Sequence, residues 1–209
     1  MLLLPIRGSG QQYRAVVNLE RAADIASEGF FDDPVMRWVF ADEKDRPDAL
    51  RTSFGALAGR FIRRGGRVDL DGDACVAMWL PPDPPDDPGG PPLSKDALRH
   101  FTPVVVERFT ALGEAMDAAH PAAPHWYLGV VATRPVHQGR GLGARLIGRV
   151  LDLCDAEGIP AYLESSNSRN LPFYYRLGFV ETGELTVPGG PTLFPMWREP
   201  KDTSSGPAA

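Results

Sequence analysis

The chain has 209 residues, with 22 Lys and Arg against 27 Asp and Glu for a formal charge of -5. It therefore lacks the basic field that would draw nucleic acid or an anionic membrane surface. The length suits one domain with its own core, expected over residues 1–200 and followed by a disordered tail at 201–209. Two cysteines, Cys75 and Cys154, are too few for a disulfide framework. The apolar start at residues 1–6 is shorter than a signal or spanning segment, so a cytoplasmic protein is expected.

Residues 13–17 read as a first strand. Asn18 then offers a cap for a helix with Leu19, Ala22, Ala23, Ile25 and Ala26 at helical spacing. The helix should stop near Asp32-Asp33-Pro34, because the residue before proline avoids helical angles, and a short turn with Val35, Trp38 and Phe40 follows. A second helix is expected over residues 47–64, with Pro47 in its first turn and Gly65-Gly66 ending it. Residues 67–70 and 74–80 flank Asp71-Gly72 and read as a hairpin. The proline-rich run 81–92 has too few donors for a ladder or helix and reads as a stiff exposed loop. Ser94 can cap a short helix toward His100, and residues 103–119 make another carrying Val105, Phe109, Leu112 and Met116.

From His125 the pattern alternates as in an α/β protein with a mixed sheet: strand to Thr133, helix over 141–157, Gly158 as its stop, strand 161–165. A short helix over about 170–176 stops at Gly178, and a strand 179–187, a Gly189-Gly190-Pro191 turn and a strand 193–198 complete the chain.

Between the strand at 126–133 and the helix after it stands Gln138-Gly139-Arg140-Gly141-Leu142-Gly143. Glycines let the backbone turn tightly and approach a ligand, and a helix starting here would aim unpaired N–H groups and its positive end at an anion. The spacing is neither the G-x-G-x-x-G of a dinucleotide site nor a Walker loop, which needs a following Lys. Q-x-x-G-x-G in this setting, followed by N-x-x-F-Y-x-x-x-G-F from Asn170 to Phe179, resembles the Gcn5-related N-acetyltransferases (GNAT family). The resemblance covers roughly the last third of the chain. Within the family, residues 160–179 and the ending Val187-Pro188-Gly189-Gly190-Pro191 with Met196 and Arg198 are most similar to the puromycin-acetylating members. The first half of the chain resembles them much less.

The resemblance implies the acyl-CoA N-acyltransferase fold: a central, mostly antiparallel sheet of six to seven strands flanked by helices, with the fourth and fifth strands splayed apart. In this chain those are residues 126–133 and 161–165. It implies acetyl-CoA as cosubstrate, bound by backbone groups of Val131, Ala132 and Thr133 and by the Gln138, Gly139, Arg140, Gly141, Leu142, Gly143 and Ala144 cradle, with Arg134, Arg140 or Arg145 as charge partners. A strand N–H at the acetyl oxygen would stabilise developing negative charge. Tyr174 matches the tyrosine that protonates the departing thiolate. A thiol near pKa 8.5 and a phenol of about 10 are close enough for that exchange. Tyr175 competes for the role, but neighbours on a helix point about 100 degrees apart. Asn170 matches the asparagine that bonds the pantetheine arm, and reads equally as a helix cap.

Glu164 is the candidate base, and reads nearly as well as a surface carboxylate. Phe31, Asp32, Asp33, Trp38, His125 and Trp126 fall where the acceptor wall usually lies, and aromatics with acids suit a cationic amine. His100, His120, His125 and His137 lack ligand spacing with the cysteines, so no metal is expected. The function implied is direct acetyl transfer to a primary amine of a small molecule, with a puromycin-like antibiotic as one named acceptor, by a monomer or homodimer. A protein or peptide N-terminal acetyltransferase and a non-catalytic acyl-CoA sensing domain are the alternatives.

Overall fold

The computed structural model describes residues 18–87 and 101–202. The expected strand at 13–17, the helix after Ser94, the end of the proline-rich run and the tail from residue 203 lie outside the described residues. Helix α1 (Leu19–Gly29) starts where Asn18 accepts from the Arg21 N–H at 2.9 Å. The expected turn before Phe40 is a helix, α2 (Pro34–Val39). Asp33 caps it by accepting from Val35 N at 2.9 Å and Met36 N at 3.2 Å, and Pro34 stands where no N–H is needed. Helix α3 (Arg46–Arg63) follows, then the hairpin β1 (Arg67–Asp71) and β2 (Cys75–Leu80), then α4 (Pro103–Ala119). Strand β3 (Trp126–Thr133), helix α5 (Leu142–Glu157) and strand β4 (Ala161–Ser165) form a β-α-β unit. Helix α6 (Leu171–Arg176) and strands β5 (Val180–Glu181), β6 (Leu185–Thr186) and β7 (Thr192–Arg198) complete the described chain.

The described strands make one seven-stranded sheet in the order β1-β2-β3-β4-β7-β5, with β6 paired to β7. Every pairing is antiparallel except β3 with β4. The fold is therefore the mixed α/β sheet that the sequence resemblance implies. Helices α1 and α3 bury Ala22, Ile25, Leu50, Phe54 and Phe61 against one face, and α5 buries Leu146, Ile147, Val150 and Cys154 against the other.

Strand β3 changes face partway along. Its pairing with β2 runs from Cys75↔Thr133 to Met78↔Val130 and resumes at Trp79↔Leu128, leaving Gly129 as an extra residue. Such a bulge bends the strand and reverses its alternation. Trp126 and Leu128 accordingly join the core under α5, while Val130 and Ala132 join the core under α1 and α3. Glycine is required at the bulge, because a Cβ there would stand 2.5 Å from Phe61 Cζ. The bend also ends the pairing with β4, which holds only at Trp126↔Ala161 and Tyr127↔Tyr162. Beyond that point β3 and β4 part.

The expected strand over 179–187 is two short strands, β5 and β6. Pro195, in the middle of the partner β7, has no N–H to offer a ladder. Thr182 instead turns both its N–H and its hydroxyl onto the Pro195 carbonyl, at 2.9 and 3.3 Å. At the other end of β7 the buried Arg198 grips Asp155 of α5 with two bonds of 2.7 and 2.8 Å and gives its Nε to the Leu177 carbonyl at 3.0 Å. One guanidinium thus joins α5, the end of α6 and the sheet.

Two outcomes check these assignments. Gly129→Val should lower unfolding stability by about 1–3 kcal/mol through overpacking against Phe61, read as a shifted urea midpoint with an unchanged slope. Arg198, aided by the Lys201 N–H, holds the Asp155 carboxyl below the ordinary carboxylate range. A depressed carboxyl contributes stability that is present above its unfolded pKa and lost as pH falls through the folded one. The stability gap between the native chain and Asp155→Asn should therefore be full near neutrality and close as pH drops below about 4.

Candidate active site

Three pieces of chain meet where β3 and β4 part. The first joins the end of β3 to α5. A 3-10 turn at Pro135–His137 leads to Gln138, whose Nε2 donates to the Thr133 carbonyl at 3.1 Å, and Arg140 Nη2 donates to the Val136 carbonyl at 3.2 Å. Gly139 and Gly141 have φ of 75° and 74°, angles that side chains with a Cβ resist. Gly141 stands at the cap of α5 without a side-chain acceptor, and the first bond into the helix runs from Arg145 N to the Gly141 carbonyl at 3.0 Å. The N–H groups of Leu142, Gly143 and Ala144 thus point out of the helix start. A Cβ on Gly143 would lie 3.6 Å from both Phe173 Cζ and Val131 Cγ2, so this first turn rests against β3 and α6. Of the three candidate arginines, Arg134 pairs with Glu28 and Asp73, and Arg145 with Asp71. Arg140 has no carboxylate partner among the described residues.

The second piece follows β4. Asn167 caps a 3-10 turn by accepting from Arg169 N at 3.0 Å, which leaves Asn170 exposed at the start of α6 with no cap bond of its own. Helix α6 turns Tyr174 inward, 5.0 Å from the Phe173 ring and 6.1 Å from that of Phe179, while Tyr175 points out and bonds Glu181. Burial, with the negative charge of Asp33 adding to it, raises the Tyr174 phenol above its ordinary range, so the proton stays on the oxygen.

The third piece is the turn between α1 and α2. The second oxygen of Asp33 accepts from the hydroxyl of Ser166, which tethers this turn to the end of β4. Burial raises the Asp33 carboxyl, and the bond from Ser166 and those from Met36 and Val35 pull it back. Beneath the turn, buried Arg46 donates to the carbonyls of Phe40, Ala41 and Phe31 at 2.8, 3.2 and 3.4 Å, and its guanidinium lies 5.0 Å from the Phe31 ring centre. One cation thereby satisfies three carbonyls and fixes the turn that presents Asp33.

The remaining candidates are scattered. Phe31 and Asp32 line a hollow of about 300 Å³ with Ser27, Glu28, Pro47 and Pro135. Trp38 packs on Gly190 and carries Arg108 over its ring at 5.4 Å. Ala132 faces the end of α1, where a Cβ on Gly29 would come within 2.9 Å of it. Trp126 is buried under α5, on the opposite face from Tyr127. His125 meets Tyr162 and Trp197, and the Glu164 side chain is 1% exposed with its carboxylate 3.7 Å from His120 Nδ1. Glu164 is therefore not a surface carboxylate.

Sequence reasoning put Asp32 among the acceptor residues ahead of Asp33 and missed Ser166, His120 and Gly129. An Asp directly before a proline at a helix start is a cap signal, and a lone glycine inside a strand is a bulge signal. The contact between Ser166 and Asp33 spans 133 positions and carries no local signal.

Residues 93–179 match the Acetyltransferase (GNAT) family. An uncharacterized N-acetyltransferase of Schizosaccharomyces pombe is 27% identical over 206 residues, 88% of this chain and 81% of that protein. The L-amino acid N-acyltransferase MnaT of Escherichia coli is 37% identical over 70 residues, 32% of this chain and 40% of that enzyme. A solved Corynebacterium glutamicum structure, described as histone acetyltransferase HPA2 and related acetyltransferase, is similar at TM-score 0.64 and 27% identity over 91% of this chain and 96% of its own. The chain thus has the fold of the GNAT N-acetyltransferases and, over residues 93–179, their sequence pattern; that family uses acetyl-CoA. Among the described residues no helix is long and apolar enough to cross a membrane.

Proposed function

We propose that the chain moves the acetyl group of acetyl-CoA to a primary amine of a small molecule, by direct attack within a ternary complex and from one domain over residues 1–200. The observation that carries this reading is the opening between β3 and β4, with the bare N-terminus of α5 at one end and Tyr174, Asp33 and Ser166 at the other. The acyl similarity of the Escherichia coli enzyme, named for L-amino acids, supports an acceptor of small size.

Each element has a task in this reading. Acetyl-CoA supplies an activated acetyl thioester. The N–H groups of Gln138 to Ala144 receive its pyrophosphate, with Arg140, which has no carboxylate partner among the described residues, as the cation beside them. The unpaired edge of β3 at Val131, Ala132 and Thr133 lies along the acyl arm, and Asn170, its amide unused as a cap, bonds that arm from the other side. Tyr174 keeps its proton in the ground state and hands it to the sulfur as the C–S bond breaks. Glu164 takes the proton that the amine must lose. Phe31, Asp32, Trp38, His125 and Trp126 were all expected near the acceptor; His125 is the one that stands with Glu164.

The test is release of free thiol from acetyl-CoA with puromycin, spermidine, an aminoglycoside and short peptides as acceptors. Release with the small amines is expected, and puromycin among them would extend the sequence resemblance to substrate. Release with peptides alone would move the function to protein acetylation, and tight acetyl-CoA binding with no release would favour a sensing domain. Gly141→Glu should abolish acetyl-CoA binding in calorimetry through bulk, strain and charge. Tyr174→Phe should lower kcat by about 10²-fold or more with a smaller change in the acetyl-CoA KM; an unchanged kcat would remove it as the acid.

A further inference from the structure

We propose that His120 is the relay that carries to solvent the proton Glu164 takes from the acceptor amine. This rests on the acetyl-transfer reading above and deepens it.

A primary alkylamine, with a pKa of about 10.4 for a lysine-like group, arrives near neutrality as an ammonium ion. Its nitrogen sheds two protons in becoming an amide. The coenzyme A sulfur gains one as the C–S bond breaks, and the other leaves as H⁺, so every turnover ends with one proton to export. Glu164 has almost no contact with water through which to export it, since its side chain is 1% exposed.

Local chain geometry brings an imidazole to that carboxylate. His120 follows α4 and precedes Pro121, and the residue before a proline avoids helical angles, so His120 turns out of the helix with ψ at 127°. Its ring lies edge-on to those of Tyr127 and Tyr162, 5.0 and 5.3 Å away between centres and at 86° to each. Between them, His120 Nδ1 stands 3.7 Å from Glu164 Oε1, while 38% of the His120 side chain stays exposed. A movement of under about 1 Å brings the pair within hydrogen-bond reach. The one side chain thus touches both the buried carboxylate and water.

The other groups around Glu164 are not suited to this task. Burial raises the phenols of Tyr127 and Tyr162, and the charge of Glu164 adds to it, so both keep their protons. Asp117 of α4 adds a smaller share at Tyr127. His125, 4.8 Å from His120 between ring centres, is buried, with Nδ1 donating to the Ala123 carbonyl at 2.7 Å, and burial lowers its hold on a second proton. The strand partner of Glu164 is Pro195, which has nothing to titrate. Imidazole is the side chain that gains and loses a proton near neutrality. The transfers therefore run from the amine nitrogen to Glu164, from Glu164 to His120 Nδ1, and from His120 Nε2 to water or buffer. Between turnovers the exposed ring re-equilibrates its protons with water.

Thiol release from acetyl-CoA with puromycin, spermidine and phenethylamine as acceptors, measured on the native chain, His120→Ala, His120→Gln and Glu164→Gln, tests the relay. Both His120 variants should lose kcat by about tenfold or more, as expected when a positioned proton carrier is removed, with the acetyl-CoA KM and the urea midpoint close to native. Added imidazole should restore His120→Ala several-fold, in proportion to its free base, and leave the native chain and Glu164→Gln unchanged, because a small buffer replaces a missing carrier but not a missing base. An unchanged kcat in His120→Ala, or a loss that imidazole does not restore, overturns the relay while a slow Glu164→Gln leaves the base in place. A native kcat in Glu164→Gln overturns Glu164 as the base, and no release by the native chain with any of the three amines overturns the transfer itself; either result removes the relay as well.

Discussion

Everything that distinguishes this sheet from an ordinary half-buried one follows from a single extra residue in β3. Gly129 has no strand partner on β2, and no larger residue fits beneath Phe61. The bulge does two things at once. It reverses which side chains of β3 face which core, and it carries the strand away from β4 after only two paired residues. A parallel pair that stays closed would bury its backbone groups in a ladder; one that opens leaves an edge of N–H and C=O groups facing a cleft. The glycine turn at 139–141 starts α5 beside that edge, so the helix's unpaired donors and the strand's unpaired edge face the same space.

Charges buried in the scaffold hold the opening in shape. Arg46 answers three carbonyls under the α1–α2 turn, and the turn in turn presents Asp33 to Ser166 at the end of β4. Arg198 locks α5 to β7 from behind. Both are arginines whose planar forks bond two or three acceptors at fixed angles, a task a lysine would not perform. Through these contacts, residues far apart in sequence, Asp33, Ser166 and Tyr174, stand at one end of the cleft. Glu164 and the rings of His120, Tyr127 and Tyr162 occupy the face of β4 turned away from α5.

Much of the architecture was legible in the sequence because local signals agreed with the tertiary outcome. The cap at Asn18, the turn at Gly72, the helix over 103–119 and the glycine stop at 158 lie where propensity and periodicity put them. The strand expected over 179–187 failed because its fate depends on Pro195, a residue of the partner strand that no local window includes. At the site, the family motif picked out Tyr174 and helical geometry set Tyr175 apart from it, and the structure turns the first inward and the second outward. The Ser166–Asp33 and His120–Glu164 contacts were not legible, since each joins elements more than 40 positions apart.

The central claim is that the start of α5 and the parted edge of β3 form the seat of the acetyl donor. Amide hydrogen exchange on the chain with and without acetyl-CoA tests it most directly, because it reads each backbone donor without assuming an acceptor. The account predicts that exchange at residues 139–145 and 131–133 slows at least about tenfold on saturation, and that Gly141→Glu removes the effect. Unchanged exchange at those residues, with protection appearing instead between α1 and α3, would contradict it.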